Sequence, residues 1–258
     1  MNKVALITGA SSGIGKDLAQ IHAEKGGDLI IIARREEKLN TLKQELESTY
    51  DTEVRVVVKD LTNSNACEDI YSEVSESGIE VEYLINNAGF GGHGKFHEQY
   101  PDYQQQMIDL NIKALTKLTR LFLPEMVERN SGRIMQVAST AGLIPGPLQA
   151  VYFATKSYVL SLSQAIAEEV SDTNVTCTAL CPGATETEFV EQANLEGTNL
   201  IESGMEKSRS VAEKGYNAMV KGKLIEITDI KLKITLDWIV PLMPRKMVLK
   251  TARKTQEK

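Results

Sequence analysis

The sequence predicts an α/β protein built on a single doubly wound parallel sheet with helices on both faces. Three observations lead there. Short β-rich runs alternate with amphipathic segments from the first residues onward, and repeated strand–helix alternation implies right-handed crossovers and parallel strands. The second such run, DLIIIA, is nearly all apolar instead of alternating, as suits a strand buried on both faces. A glycine-rich turn, TGASSGIG at residues 8–15, leaves the first run and opens the first helix.

In chain order, VALIT (4–8) is the first strand, followed by a helix from about Gly13 to Lys25. Gly26 and Gly27 end that helix by supplying a left-handed cap. DLIIIA (28–33) is the second strand, and a charged helix over about Glu36 to Ser48 follows it. EVRVVV (53–58), EYLIN (82–86), RIMQVA (133–138) and NVTCTAL (174–180) supply four more strands, and the segments between them are long enough for helices. Neither an internal repeat nor a linker interrupts the pattern up to about Ile227. Residues 1–258 are therefore predicted to be one domain, with a basic C-terminal extension over about 229–258. Within it, the polar-rich stretch 188–210 carries isolated apolar residues and is predicted to be a loop acting as a substrate lid.

Composition removes several function classes. A chain of 258 residues with 42% apolar and 25% charged residues is an ordinary globular composition. The net charge of −6 argues against nucleic-acid binding, which needs a basic face. Charge is uneven, however: Arg245 to Lys258 carries six basic residues and one Glu. Two readings of that tail stay open: a helix packed on its own domain or on a partner subunit, and contact of 241–258 with an anionic membrane surface. Cys67, Cys177 and Cys181 lack a framework spacing and read as buried thiols. His22, His93 and His97 make no ligand pattern, so no metal is predicted, and His93 reads as an exposed loop residue. The apolar run VALI stops after four residues, too short for a signal peptide. A cytoplasmic protein is expected.

Glycines at 9, 13 and 15 permit a tight turn and a close backbone approach by a pyrophosphate. The free N–H groups of the following helix then attract its charge. With the G-x-x-x-G-x-G spacing and Thr8 before it, the chain resembles the short-chain dehydrogenase/reductase family. The resemblance continues in order through Asp60-Leu61, NNAG (86–89), Asn111, Ser139, Tyr152, Lys156 and PGATET (182–187). It implies a Rossmann-type fold and assigns the cofactor turn to Gly9, Ser11, Ser12, Gly13, Ile14 and Gly15. It also places Asp60 and Leu61 at the adenine, Asn87, Ala88 and Gly89 along the nicotinamide side, and Pro182, Gly183 and Thr187 at the carboxamide end. Two departures from the pattern stand out. Many NADP-preferring relatives carry a basic residue where Ser12 stands. The last strand also lacks the Gly-Gly pair of many relatives, which argues against a fatty-acid-synthesis ketoacyl reductase and its C-terminal tetramer contact.

An acidic residue ending the second strand would repel a 2′-phosphate. Ala33 holds that position, followed by Arg34 and Arg35. Guanidinium grips phosphate through two parallel hydrogen bonds, so NADP(H) is predicted, with Arg34 the main contact and Arg35 beside it. Tyr152 and Lys156 at i and i+4 share one helix face. An ammonium about 5 Å from the phenol contributes on the order of 3 kcal/mol at an effective dielectric of about 20, or roughly two pKa units. The resemblance adds a lysine contact with the nicotinamide ribose and, for Asn111, a bound water linking Lys156 to solvent. Ser139, ending a strand, is placed to hydrogen-bond the substrate oxygen. The expected catalytic set is Asn111, Ser139, Tyr152 and Lys156. The expected activity is NADP(H)-dependent interconversion of a ketone or aldehyde and an alcohol, on a small and lipophilic molecule. The alternative is a non-catalytic NADP(H)-sensing or binding protein. A homodimer is expected through the helices carrying Asn111 and Tyr152.

Overall fold

The computed structural model describes residues 3–258. Its main sheet has seven parallel strands in the order β3-β2-β1-β4-β5-β6-β9. These are β1 (Val4–Thr8), β2 (Asp28–Ala33), β3 (Val54–Val58), β4 (Val81–Asn86), β5 (Gly132–Val137), β6 (Val175–Cys181) and β9 (Ile225–Ile227). Six coincide with the strands expected from sequence to within a residue or two. The seventh, β9, pairs with Ala179, Leu180 and Cys181. Three residues are too few to show a pattern of their own, so sequence periodicity could not reveal it.

Alternation of side chains along the strands sorts the core into two layers. Leu29 and Ile31 of β2 face one layer with α1 (Gly13–Glu24), α2 (Glu36–Thr49) and α9 (Ser208–Val220). Ile30 and Ile32 face the other, with α3 (Ala66–Glu76), α5 (Leu115–Glu128) and α6 (Ala150–Glu169). Each layer gains only when both faces are covered, which is why β2 reads as a continuous apolar run. His22 of α1 is buried and spends both ring nitrogens on the protein. Nε2 donates to the Lys3 carbonyl at 2.8 Å, so Nδ1 is left to accept from the Tyr216 hydroxyl at 2.9 Å. Burial holds its pKa below the ordinary histidine value. All three cysteines are buried and free.

The strand order reverses between β1 and β4, and the crevice outside their carboxyl ends is where ligands bind such sheets. Around it lie α4 (Pro101–Ile108) and a π-helical stretch, Asp109–Ala114, leading into α5. The 188–210 segment is not a loop. It folds as α7 (Phe189–Gln192), α8 (Asn199–Glu202) and β8 (Glu206–Lys207), which pairs with β7 (Thr185–Glu186), and α9 begins at Ser208. Its apolar Ala193 and Leu195 are fully or nearly fully buried, and those side chains order it.

The C-terminal extension also folds, as α10 (Ile230–Ile234), a π-helical turn (Thr235–Ile239), a 3-10 turn (Val240–Leu242) and α11 (Arg245–Gln256). α11 packs on its own domain through Val248, Ala252 and Gln256. Its end is tied down by Asn199, whose side chain donates to the Lys254 and Glu257 carbonyls at 2.9 and 3.0 Å. His93 is therefore not an exposed loop residue: it is half-buried, with Nε2 2.7 Å from the Gln256 carbonyl. The partner of His93 comes from 163 residues away, beyond any local pattern. Among the described residues no helix is long and apolar enough to cross a membrane.

Candidate active site

One cleft of about 1240 Å³ runs along the carboxyl ends of β1, β2, β4, β5 and β6. Its floor is the glycine turn. Gly9 has φ +70° and Gly13 φ +53°, conformations that favour glycine. A Cβ on Gly9 would also stand 2.8 Å from Asn87 Nδ2 and 2.9 Å from Ala88 Cα. Thr8 and Asn87 fasten this turn to the next. Thr8 Oγ1 accepts from the Asn87 and Ala88 amides at 3.0 Å each, and Asn87 Nδ2 donates to the Thr8 carbonyl at 2.9 Å. The backbone around Ser11, Ser12, Gly13 and Ile14 is thus pinned open at the N-terminus of α1. Gly15 does not reach the cleft. It is buried against the Gly9 carbonyl and Asn87, where any side chain would collide, so its role is close packing of helix on turn.

At the end of β2 the two arginines differ. Arg34 lies 3.7 Å from Asp60. Burial raises the Asp60 carboxyl, but bonds from the Thr62 amide and hydroxyl, with Arg34, hold it below its ordinary value. Arg35 folds across the glycine turn instead: Nη2 donates to Ser11 Oγ at 2.9 Å and Ser12 Oγ at 2.8 Å. A guanidinium therefore occupies the neighbourhood where a basic side chain at position 12 would stand. Glu188, at the start of the 188–210 segment, accepts from Arg35 Nη1 at 2.7 Å and Lys38 Nζ at 2.6 Å. Lys38 and Arg35 together pull its carboxyl down to about 2. Sequence reasoning missed this carboxylate, because its partners lie 153 and 150 residues away. Leu61 and Asp60 form the wall beside it, and Ala88 and Gly89 continue the floor.

The deep end of the cleft brings Ser139, Tyr152 and Lys156 together. Ser139 follows β5 in extended backbone and caps a short 3-10 turn, accepting from the Ala141 amide at 3.1 Å. Its hydroxyl donates to the Pro182 carbonyl at 3.4 Å. Lys156 Nζ donates to the Val137 carbonyl at 2.7 Å and sits 5.9 Å from the centre of the Tyr152 ring. Burial pushes Tyr152 up to about 12, against the bond from Ser139, and pushes Lys156 down to about 8. The lowered phenol expected from the lysine alone is thus not what the protein by itself presents, because burial raises it. Pro182 accepts from the Thr140 amide, and Gly183 and Thr187 line the opposite wall.

Asn111 is buried behind the cleft and does not line it. Its Oδ1 accepts from the Phe90 amide at 3.1 Å, while Nδ2 donates to the Phe90 carbonyl at 2.9 Å and Thr155 Oγ1 at 3.1 Å. Its place in a π-helical stretch, a feature frequent at functional sites, aims it at this loop and at the helix carrying Tyr152 and Lys156. The outer cleft is apolar, with Ile144, Phe153, Phe189, Leu195, Leu232 and Leu236 on its walls. One polar pair breaks it: Gln149 Nε2 donates to Gln256 Oε1 at 2.6 Å, joining α11 to the start of α6. Gln149 Oε1 is buried with no partner. Among the described residues no cluster of His, Cys, Asp or Glu could hold a metal ion.

A parallel seven-stranded sheet with a glycine turn at its switch point and a Ser-Tyr-Lys group at its carboxyl edge defines a dinucleotide-dependent oxidoreductase of the α/β class. The comparisons resolve the family: residues 3–197 match the model of the short chain dehydrogenases, so the chain belongs to that family. A very-long-chain 3-oxoacyl-CoA reductase of Macaca fascicularis is 30% identical over 256 residues, covering 96% of this chain and 78% of the relative. A short-chain dehydrogenase from Sphingobium yanoikuyae, solved in complex with NADPH, superposes with a TM-score of 0.85 at 29% identity over 93% of this chain and 92% of that one. A bulky-bulky ketone specific alcohol dehydrogenase from Comamonas testosteroni has a TM-score of 0.79 at 25% identity, covering 94% of this chain and 95% of that one. An oxidoreductase family does not favour the non-catalytic sensing alternative.

Proposed function

We propose that this chain is an NADP(H)-dependent oxidoreductase that interconverts a lipophilic ketone or aldehyde and its alcohol. The observation that carries this is the placement of Ser139, Tyr152 and Lys156 at one end of a cleft whose other end holds Arg34, Arg35, Ser11 and Ser12. The residues fit the cofactor: Gly9 and Gly13 leave a cradle that a Cβ would fill, and the guanidinium groups of Arg34 and Arg35 line the same cleft, available to a 2′-phosphate. When bound, NADP(H) supplies the hydride acceptor or donor.

The protein's own share is the proton and its positioning. Tyr152, protonated at neutral pH, donates to the carbonyl oxygen during reduction and recovers the proton during oxidation. Ser139 holds the same oxygen through its hydroxyl. Lys156, held by Val137, offers its charge to the developing tyrosinate, and Asn111 positions the loop and helix around them. The lid segment 188–210 and α11 exclude water from the mouth. Apolar walls, together with relatives named for a long acyl chain and a bulky ketone, support a lipophilic substrate. A homodimer fits the outward face of α6, where Ala154, Ser157, Ser161 and Ala165 are small and exposed, so a second helix can approach closely; sedimentation equilibrium tests it. A cytoplasmic location is consistent with three free thiols.

Tyr152→Phe is expected to abolish turnover of a ketone panel while NADPH still binds by fluorescence titration. Retained turnover rules out the proposed acid. Arg34→Asp is expected to reverse the ratio of kcat/KM for NADPH over NADH, and an unchanged ratio rules out the phosphate assignment.

A further inference from the structure

The 229–242 segment has two apolar faces. Leu232 and Leu236 point inward and line the cleft. On the other side Ile230, Ile234, Trp238 and Leu242, spaced by four residues, are 72%, 53%, 73% and 86% exposed. Ile230 and Ile234 share one face of α10, and Trp238 and Leu242 continue the exposed apolar run through the π-helical and 3-10 turns that follow. Ile239 and Met247 widen it. Isolated exposed apolar residues are ordinary, but a contiguous apolar ridge marks a surface that something covers.

Charge says what covers it. Lys231 and Lys233 lie within this segment and Arg245, Lys246 and Lys250 follow it in the next helix, all exposed. Of these only Lys233 has a carboxylate partner among the described residues, Asp237 at 3.7 Å. Residues 229–258 sum to +5, whereas the whole chain is −6 and the remainder therefore −11. An acidic protein that gathers unpaired cations around one apolar ridge has a face complementary to an anionic surface with an apolar interior. A helix with Trp and Leu on one side and Lys or Arg around it is the pattern of an element lying in a lipid interface. A two-fold contact with a second copy would be self-complementary and would bring the same cations together.

We propose that the ridge Ile230–Leu242 with its basic rim seats the protein on an anionic lipid surface, peripherally and without crossing it. The mouth of the cleft lies on the same element, so a lipophilic substrate would enter from the membrane side; that consequence alone rests on the proposed activity. Attachment is a binding property and is measured without turnover.

Trp238 is the only tryptophan in the chain, so its emission reports this surface directly. The full-length protein is titrated with phosphatidylcholine vesicles with and without phosphatidylserine. A blue shift of Trp238, quenching by brominated lipid and co-sedimentation are expected with phosphatidylserine, weakening as salt rises. Leu242→Ser and Ile234→Ser, both outside the cleft, should each lower the vesicle partition coefficient on the order of tenfold and leave ketone reduction in detergent-free buffer unchanged. Lys231→Glu with Lys246→Glu should lower binding to the anionic vesicles and leave weak binding to pure phosphatidylcholine unchanged. No spectral shift with either vesicle, partition indifferent to Leu242→Ser, or a shift that grows with protein concentration in the absence of lipid would each overturn the proposal, the last by showing a self-association face instead.

Discussion

Glu188 ties Arg35, one of the two candidate phosphate ligands, and Lys38 to the 188–210 segment, and removing its charge separates two roles. Arg35 and Lys38 each donate to its carboxylate, at 2.7 and 2.6 Å. If those cations grip a 2′-phosphate, they must first release Glu188. All three side chains are between 43% and 49% exposed, so each pair counts as a surface ion pair, contributing about 0.2–1 kcal/mol. Two such pairs make Glu188→Gln tighten NADPH by about two- to thirtyfold. NADH has no 2′-phosphate and its Kd should change far less. Calorimetric titration of both cofactors onto wild type and variant measures this. The gain should shrink with salt, since exposed pairs are screened. It should hold at neutral pH and fade as pH falls into the ordinary carboxylate range, because Glu188 released from Lys38 and Arg35 loses the partners that hold its carboxyl near 2. Weaker NADPH binding, or equal tightening of both cofactors, would refute the competition and make Glu188 a strut that holds the 188–210 segment.

Lys156→Met tests the proton relay: with Nζ 5.9 Å from the Tyr152 ring, the lost attraction is about 3 kcal/mol at an effective dielectric of about 20. Alcohol oxidation at pH 7, which needs tyrosinate, should therefore slow roughly 100-fold; a loss confined to cofactor affinity would contradict it. His22 has a folded pKa below its unfolded value, so the unfolded chain takes up the proton first. Its contribution to stability is fully present above about pH 6.5 and lost as pH falls through the folded pKa. Urea midpoints between pH 5 and 8 should show this slope in wild type and lose it in His22→Gln; an unchanged slope assigns it elsewhere. Gln256→Ala removes the bond to Gln149 at the cleft mouth and should raise KM for a ketone several-fold with kcat little changed, which steady-state kinetics would show. A fall in kcat alone would place Gln256 nearer the chemistry than the structure does.

Much of this protein is written in short-range patterns. The six longer strands follow from β-rich runs that alternate with amphipathic segments, β2 most plainly, because a strand covered on both faces is nearly all apolar. The glycine turn is legible because Gly9 and Gly13 hold positive φ, a local demand that few other residues meet. Tyr152 and Lys156 are legible because one helical turn brings i and i+4 together. What stayed hidden depends on contacts between residues far apart in the chain. β9 has three residues and exists only because β6 offers it an edge. Arg35 replaces the missing cation at position 12 by reaching back 23 residues, and no spacing rule encodes a folded-over side chain. The 188–210 segment read as a loop because its apolar residues are few, yet Ala193 and Leu195 are buried by the fold around them. The bonds of Asn111 to Phe90 and Thr155, 21 and 44 residues away, follow from no local pattern either. The pKa of Tyr152 was the furthest from local reasoning. The sequence alone determined that a lysine stands one turn away, but burial, which only the packed tertiary structure decides, sets how much of the lysine's charge the phenol can use.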